Sequence, residues 1–227
     1  MIGTGDSLQL SRQPRSFDSF SALNQATITE SNMSSPLNSA IARLSSAEAS
    51  VREAAAAEIY AAGRAPADLV VQTWWSDEEL SGLLSRPKPV VTVGLAVQRE
   101  TFSKLRAAHS VARLAEVPSD QDAEEFELHF ANGISLDILT SRAPGGDGAI
   151  ASFLGKFGEG VQQVEFRCAK LDRAAEILKE KFGVAAIYPE TRPGAEGTRV
   201  NFFLVPVPGG GKVLIELYEA AAKSPQK

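Results

Sequence analysis

The chain has 227 residues, 44% of them hydrophobic and 22% charged, which is enough apolar material for one large packed domain or two small ones. Its formal net charge of −5, with no basic stripe, argues against a nucleic-acid partner. A lone cysteine excludes an internal disulfide and a cysteine-based zinc site, and no apolar run approaches the ~20 residues that cross a bilayer.

Residues 1–34 are rich in Ser, Asn, Gln and Thr without periodicity and read as a flexible tail, with Met33 an alternative start. The start also lacks the basic-then-apolar order of a secretory signal, so the expected compartment is the cytoplasm. Residues 35–87 read as a small α-helical arm. Ser45 and Glu48 form a capping-box pattern, followed by strong helix formers to an expected stop at Gly63. Ser76 and Glu79 make a second such pattern. The stretch from Leu44 to Ile59 is similar to one helix of a HEAT-type repeat, but no second copy follows, which argues against a solenoid. The arm is expected to pack on the next domain or on a second subunit, with Trp74 and Trp75 as anchors.

After Pro87-Lys88-Pro89 the pattern changes. A strand over 90–97 is followed by a helix over 100–108 and strands over 111–117, 124–131 and 134–140, the last two joined at the hairpin dipeptide Asn132-Gly133. A Gly/Pro linker and a short helix over 149–158 lead to a repeat of that order: strand 161–169, helix 172–182, and strands 185–189, 199–205 and 212–219. The fold class is therefore α+β, with two tandem βαβββ modules (90–142 and 161–221) in one domain over 88–222, and a short tail over 223–227. Two such sheets side by side curve into a cup. Period-two alternation puts Val164, Phe166 and Cys168 on the helix side and Gln163, Glu165 and Arg167 on the other. In the last strand it leaves Leu214, Glu216 and Tyr218 opposite Val213, Ile215 and Leu217. Glu216 is a carboxylate in apolar surroundings, which must be paired, protonated or bound to metal. Asp137 holds the equivalent place in the first half. Cys168 reads as a small buried hydrophobe.

The segments VGLAV, ASFLGKFGEGVQQVEF, LDRAAEILKEKFGV and GGKVLIELYE, in that order, resemble the vicinal oxygen chelate superfamily, which includes glyoxalases, bleomycin resistance proteins and extradiol dioxygenases. The nearest likeness within it is to methylmalonyl-CoA epimerase. The resemblance covers about residues 90–220 and implies a divalent metal held from the first and last strand of each half. Its ligand positions fall on Thr92, Asp137, Gln163 and Glu216, so both positions usually held by histidine are replaced; His109 and His129 lie elsewhere. Threonine and a carboxamide are poor transition-metal ligands, which points to a degenerate site and to no cofactor. Asp137, Gln163, Glu216 and waters remain an oxygen-rich set suited to magnesium or manganese.

Three functions follow as expectations. The first is a small-molecule-binding protein on this scaffold. The second is an epimerase, isomerase or lyase acting next to a carbonyl, of acyl-CoA or 2-oxoacid type, with Asp137 and Glu216 as acid and base. The third is an interaction protein using the helical arm. Thr92, Gln163, Glu165, Arg167 and Tyr218 are the candidate ligand-binding residues. Arg167 either grips an anionic group or pairs internally with Glu165 or Asp137. A homodimer fits all three, because curved sheet modules leave edges that pair.

Overall fold

A computed structural model describes residues 36–221; the tails expected over 1–34 and after 222 lie outside them. Three helices open the described chain: α1 (Pro36–Arg43), α2 (Ala49–Trp74) and α3 (Glu78–Leu83). Neither capping box forms as expected. Ser45 donates back to the Ala42 carbonyl, and Glu48 stands at the N-cap of α2 without a side-chain cap. In α3 the cap is Asp77, one residue later than expected, whose carboxylate accepts from the Leu80 amide at 2.8 Å. Glu79 instead reaches Arg173 on a later helix.

Gly63 does not stop the helix. The helix α2 runs on through Gly63 and Pro66 to Trp74, because tertiary burial outweighs the local cost of both residues. Gly63 is needed for approach: a Cβ there would lie 2.6 Å from Val93 Cγ1 and 3.2 Å from Val161 Cγ1. The first part of α2 buries Ala55, Ala56 and Ile59 in one core, and the last part buries Ala67, Val70, Val71 and Trp74 in another.

One seven-stranded sheet follows, built from β1 (Val91–Ala96), β2 (Glu124–His129), β3 (Ser135–Thr140), β4 (Gly160–Arg167), β5 (Arg192–Pro193), β6 (Arg199–Pro206) and β7 (Lys212–Glu219). Its order is β2-β3-β1-β4-β7-β6-β5. The duplication is visible in the pairing. β1 runs parallel to β3 as β4 runs parallel to β7, and the halves meet where β1 and β4 pair antiparallel. Helix α4 (Arg99–Ala108) packs on the first half, α6 (Leu171–Phe182) on the second, and α2 spans both. The linker helix α5 (Ala149–Phe157) joins Ala96, Ala123 and Leu139 at one end of the cup. This curled half-barrel with an N-terminal helical region is the architecture that the sequence resemblance implies.

Two segments expected as strands are not regular. The chain over 111–117 makes one strand-like bond, Ala115 N to Glu125 O, and that over 185–189 makes one, Ile187 N to Phe202 O. Both leave the sheet to arch over its hollow. The Asn132-Gly133 turn forms as expected, with φ of 62° and 72° at the two residues and His129 registered against Ser135.

Candidate functional site

The convex face takes the apolar half of each strand: Val164 and Phe166 of β4, Ile215 and Leu217 of β7, Phe126 and Leu128 of β2. The same alternation turns the polar half inward. The hollow encloses a cavity of about 480 Å³. Its floor carries Glu125 and Glu127 from β2, Asp137 from β3, Gln163 and Glu165 from β4, and Glu216 from β7. Apolar wall is supplied by Leu139, Ile150, Val200, Phe202 and Leu214.

Register shows how the floor is assembled. Glu127 pairs with Asp137, and Asp137 with Gly94 of β1. Gly94 pairs with Gln163, which faces inward by alternation with Glu165, and the register shift just beyond leaves Gln162 unpaired and also in the lining. One step along, Thr92 pairs with Glu165 and Glu165 with Glu216. Gly94 is required by this crowding: a Cβ there would lie 2.5 Å from Gln163 Cγ. Asp137 and Glu216 thus occupy matching places in the two halves, on strands separated by β1 and β4. At about 4.8 Å per strand spacing their backbones stand roughly 14 Å apart across the strands, offset by one inward-facing position, on opposite flanks of the floor.

Hydrogen bonding is sparse for so many acids. Gln163 Nε2 donates to Glu216 Oε2 at 2.7 Å and to Glu165 Oε1 at 3.0 Å. Thr92 donates to Glu127 at 3.2 Å. Asp137 is only 9% exposed and has no hydrogen bond or ion pair among the described residues. Burial disfavours the charged form of these carboxyls. It lifts Asp137 and Glu216 well above the ordinary carboxylate range, with neighbouring carboxylates adding to the lift. Burial likewise raises Glu125 and Glu165 to about 7, Glu125 also by Glu196 and Glu165 by Glu125 and Glu127, against the bond from Gln163. Tyr218 is pushed up to about 12, first by burial and then by Glu165.

Of the residues expected at the site, Thr92, Asp137, Gln163, Glu165, Glu216 and Tyr218 all line this cavity. Arg167 does not. It is exposed at the end of β4, outside the lining, and makes no ion pair with Glu165 or Asp137 among the described residues. The reason is its place at the strand's last residue, where the concave face opens to water. Sequence reasoning missed Glu125 and Glu127, although the alternation in EEFELH sets them opposite Phe126 and Leu128. It also missed the roof. There Arg192 stacks over Tyr188 at 4.6 Å and pairs with Asp120 at 2.6 Å. Glu196 accepts from Arg113 at 3.1 Å and from the Glu116 amide at 2.8 Å. These contacts clasp the arch of one half to that of the other.

Among the described residues no three His, Cys, Asp or Glu side chains are grouped to hold an ion. Gln163 presents its N–H donors to both neighbouring carboxylates, and the hydroxyl of Thr92 is directed to Glu127.

No protein-family model matches the chain, and no curated protein matches it. Among solved structures it is similar to methylmalonyl-CoA epimerase from Mycobacterium tuberculosis, at 30% identity over 58% of this chain and 87% of that one, with a TM-score of 0.47. It is similar to a variant of Streptomyces coelicolor methylmalonyl-CoA epimerase in complex with 2-nitronate-propionyl-CoA, at 28% identity over 60% and 99%, with a TM-score of 0.47. A hypothetical protein from Bacillus halodurans is a further neighbour, at 24% identity over 60% and 96%, with a TM-score of 0.48.

Proposed function

We propose that this chain binds a small organic molecule in the cup formed by its two halves, and that it does so without a divalent metal of the chelate type. One observation carries the reading: a hollow of about 480 Å³, within the usual range for ligand pockets, with polar groups gathered on its floor and apolar side chains on its wall. The unconverged acids and the donor role of Gln163 support the metal-free part. The test is a ligand-observed NMR screen of a chemically mixed fragment library against the chain and against Leu214→Trp, which fills the apolar wall. Hits that compete with one another and vanish in the variant are the expected result. Hits that persist in Leu214→Trp would place binding elsewhere and defeat the reading. Metal analysis of protein purified without chelator addresses the second part, and stoichiometric tightly held metal would overturn it.

A catalytic reading is favoured by one further observation. Asp137 and Glu216 are both buried, one in each half, and burial favours the neutral form of each. A neutral carboxylic acid donates a hydrogen bond to a carbonyl oxygen, and its ionised counterpart removes a proton from the adjacent carbon. That is the chemistry of an epimerase, isomerase or lyase. Under this reading Glu216→Gln removes turnover and leaves ligand affinity within a few fold. The helical arm is assigned a structural role, since the faces of α2 carrying Ile59, Val70 and Trp74 are already buried on this chain's own sheet.

A further inference from the structure

We infer that the ligand is an organic cation: a protonated amine or amidine carried on a compact apolar body. This deepens the reading above and rests on it. Nine of the lining side chains are Asp or Glu, whereas Arg192 alone among them is basic. Its guanidinium is already committed to Asp120 and to the face of Tyr188. Several roof acids are likewise satisfied; Glu196 has Arg113, and Asp122 accepts from Ser141 and the Ala143 amide. On the floor, Gln163 and Thr92 serve Glu165, Glu216 and Glu127, but two acids are left over. Asp137 is nine-tenths buried, lines the hollow and has no hydrogen bond or ion pair among the described residues, and Glu125 has none on its side chain. Gln162, also in the lining, has a buried Oε1 without a partner. The floor therefore presents acceptors in excess of donors, and an N–H-bearing cation set against it favours the ionised form of these acids and supplies the missing donors.

The shape of the hollow selects the rest of the molecule. The unpaired acids lie on β2 and β3, while Val200, Phe202 and Leu214 lie on β6 and β7 toward the other side. A cationic head set over Asp137 and Glu125 leaves an apolar body over Phe202 and Leu214. The acids are spread along the row rather than grouped, which suits a head with several N–H directions better than a bare metal ion. The same negative wall repels the phosphates of an acyl-CoA and the carboxylate of a 2-oxoacid, which narrows the catalytic reading as well.

Three probes with one shared body test this: 3-phenylpropylamine, 3-phenylpropan-1-ol and 3-phenylpropanoate, titrated into the full chain by calorimetry. The amine should bind at least ten-fold more tightly than the alcohol, and the carboxylate most weakly. Asp137→Asn and Glu125→Gln should each remove most of the amine's advantage over the alcohol, with circular dichroism and thermal melts of each variant showing that it is folded. Equal binding of amine and alcohol would overturn the charge inference and leave the cavity reading standing. A larger thermal shift with magnesium than with the amine would overturn the choice of an organic cation. Failure of all three probes at millimolar concentration would overturn both.

Discussion

Gln163 stands between the halves and gives its amide to Glu216, with Nε2 at 2.7 Å from Oε2, so the buried acid of the last strand depends on a donor from β4. Replacing Gln163 by methionine keeps the bulk and removes that donor. The expected cost is about 1–3 kcal/mol in urea unfolding at neutral pH, the penalty of leaving a buried polar group unsatisfied. An unchanged unfolding midpoint would mean that Glu216 finds another donor.

Gly94 tests the same row from the other side. Its pairing places Asp137 on one flank and Gln163 on the other, and any Cβ collides with Gln163 Cγ. Gly94→Ala should therefore push Gln163 off Glu216, lower stability by about 1–3 kcal/mol and weaken ligand binding together. Binding kept at full strength in a destabilised variant would separate the row from the site.

The acids of the floor give the fold a pH dependence of unusual sign. Burial raises Glu125 and Glu165 to about 7 from the ordinary 4.5, and lifts Asp137 and Glu216 in the same direction. Each binds its proton more tightly when folded, so its contribution is complete below the unfolded range near 4.5 and is lost as the pH rises through about 7. Surface acids such as Glu79 and Asp172, held low by Arg173 and Arg199, act in the opposite direction at lower pH. Between pH 5 and 8 the chain should thus lose resistance to urea, and Glu165→Gln should flatten that slope by on the order of 2 kcal/mol. Parallel profiles for the two proteins would refute the assignment.

Two glycines in helices should respond with opposite signs. Gly63→Ala puts a methyl against Val93 and Val161 and should destabilise by about 1–3 kcal/mol. Gly82→Ala in α3 meets nothing within 4 Å and should stabilise by up to about 1 kcal/mol through helix propensity. Thermal melts of the pair decide it.

The roof clasp has a local signature. Removing the Glu196 carboxylate in Glu196→Ala deprives the Glu116 amide of its acceptor and Arg113 of a partner. Hydrogen exchange at Glu116 should quicken by ten-fold or more, while the global unfolding midpoint moves by less than about 1 kcal/mol.

Residue patterning made the sheet legible and left the helical arm obscure. The alternation in β4 and β7 separates Val164 from Gln163 and Ile215 from Glu216 because each strand is dry on one side and faces the hollow on the other. Asn132-Gly133 announces its turn because only certain residues tolerate positive φ. Gly63 misled because its role depends on strands thirty and ninety-eight residues away, at Val93 and Val161. Glu125 and Glu127 stayed hidden as site residues for a related reason: alternation gives a face, but only knowledge of which strand lies beside β3 makes that face the floor. The chain over 111–117 has strand-like residues and yet leaves the sheet, since its role is to arch over the hollow and meet Glu196.

The helix α2, about 39 Å long at 1.5 Å per residue, lies across the seam between β1 and β4 with one end rooted in each half. It works as a splint. Any change in the angle between the halves would have to draw Ile59 out of one core or Trp74 out of the other, so the depth of the cup is tied to the packing of a single helix.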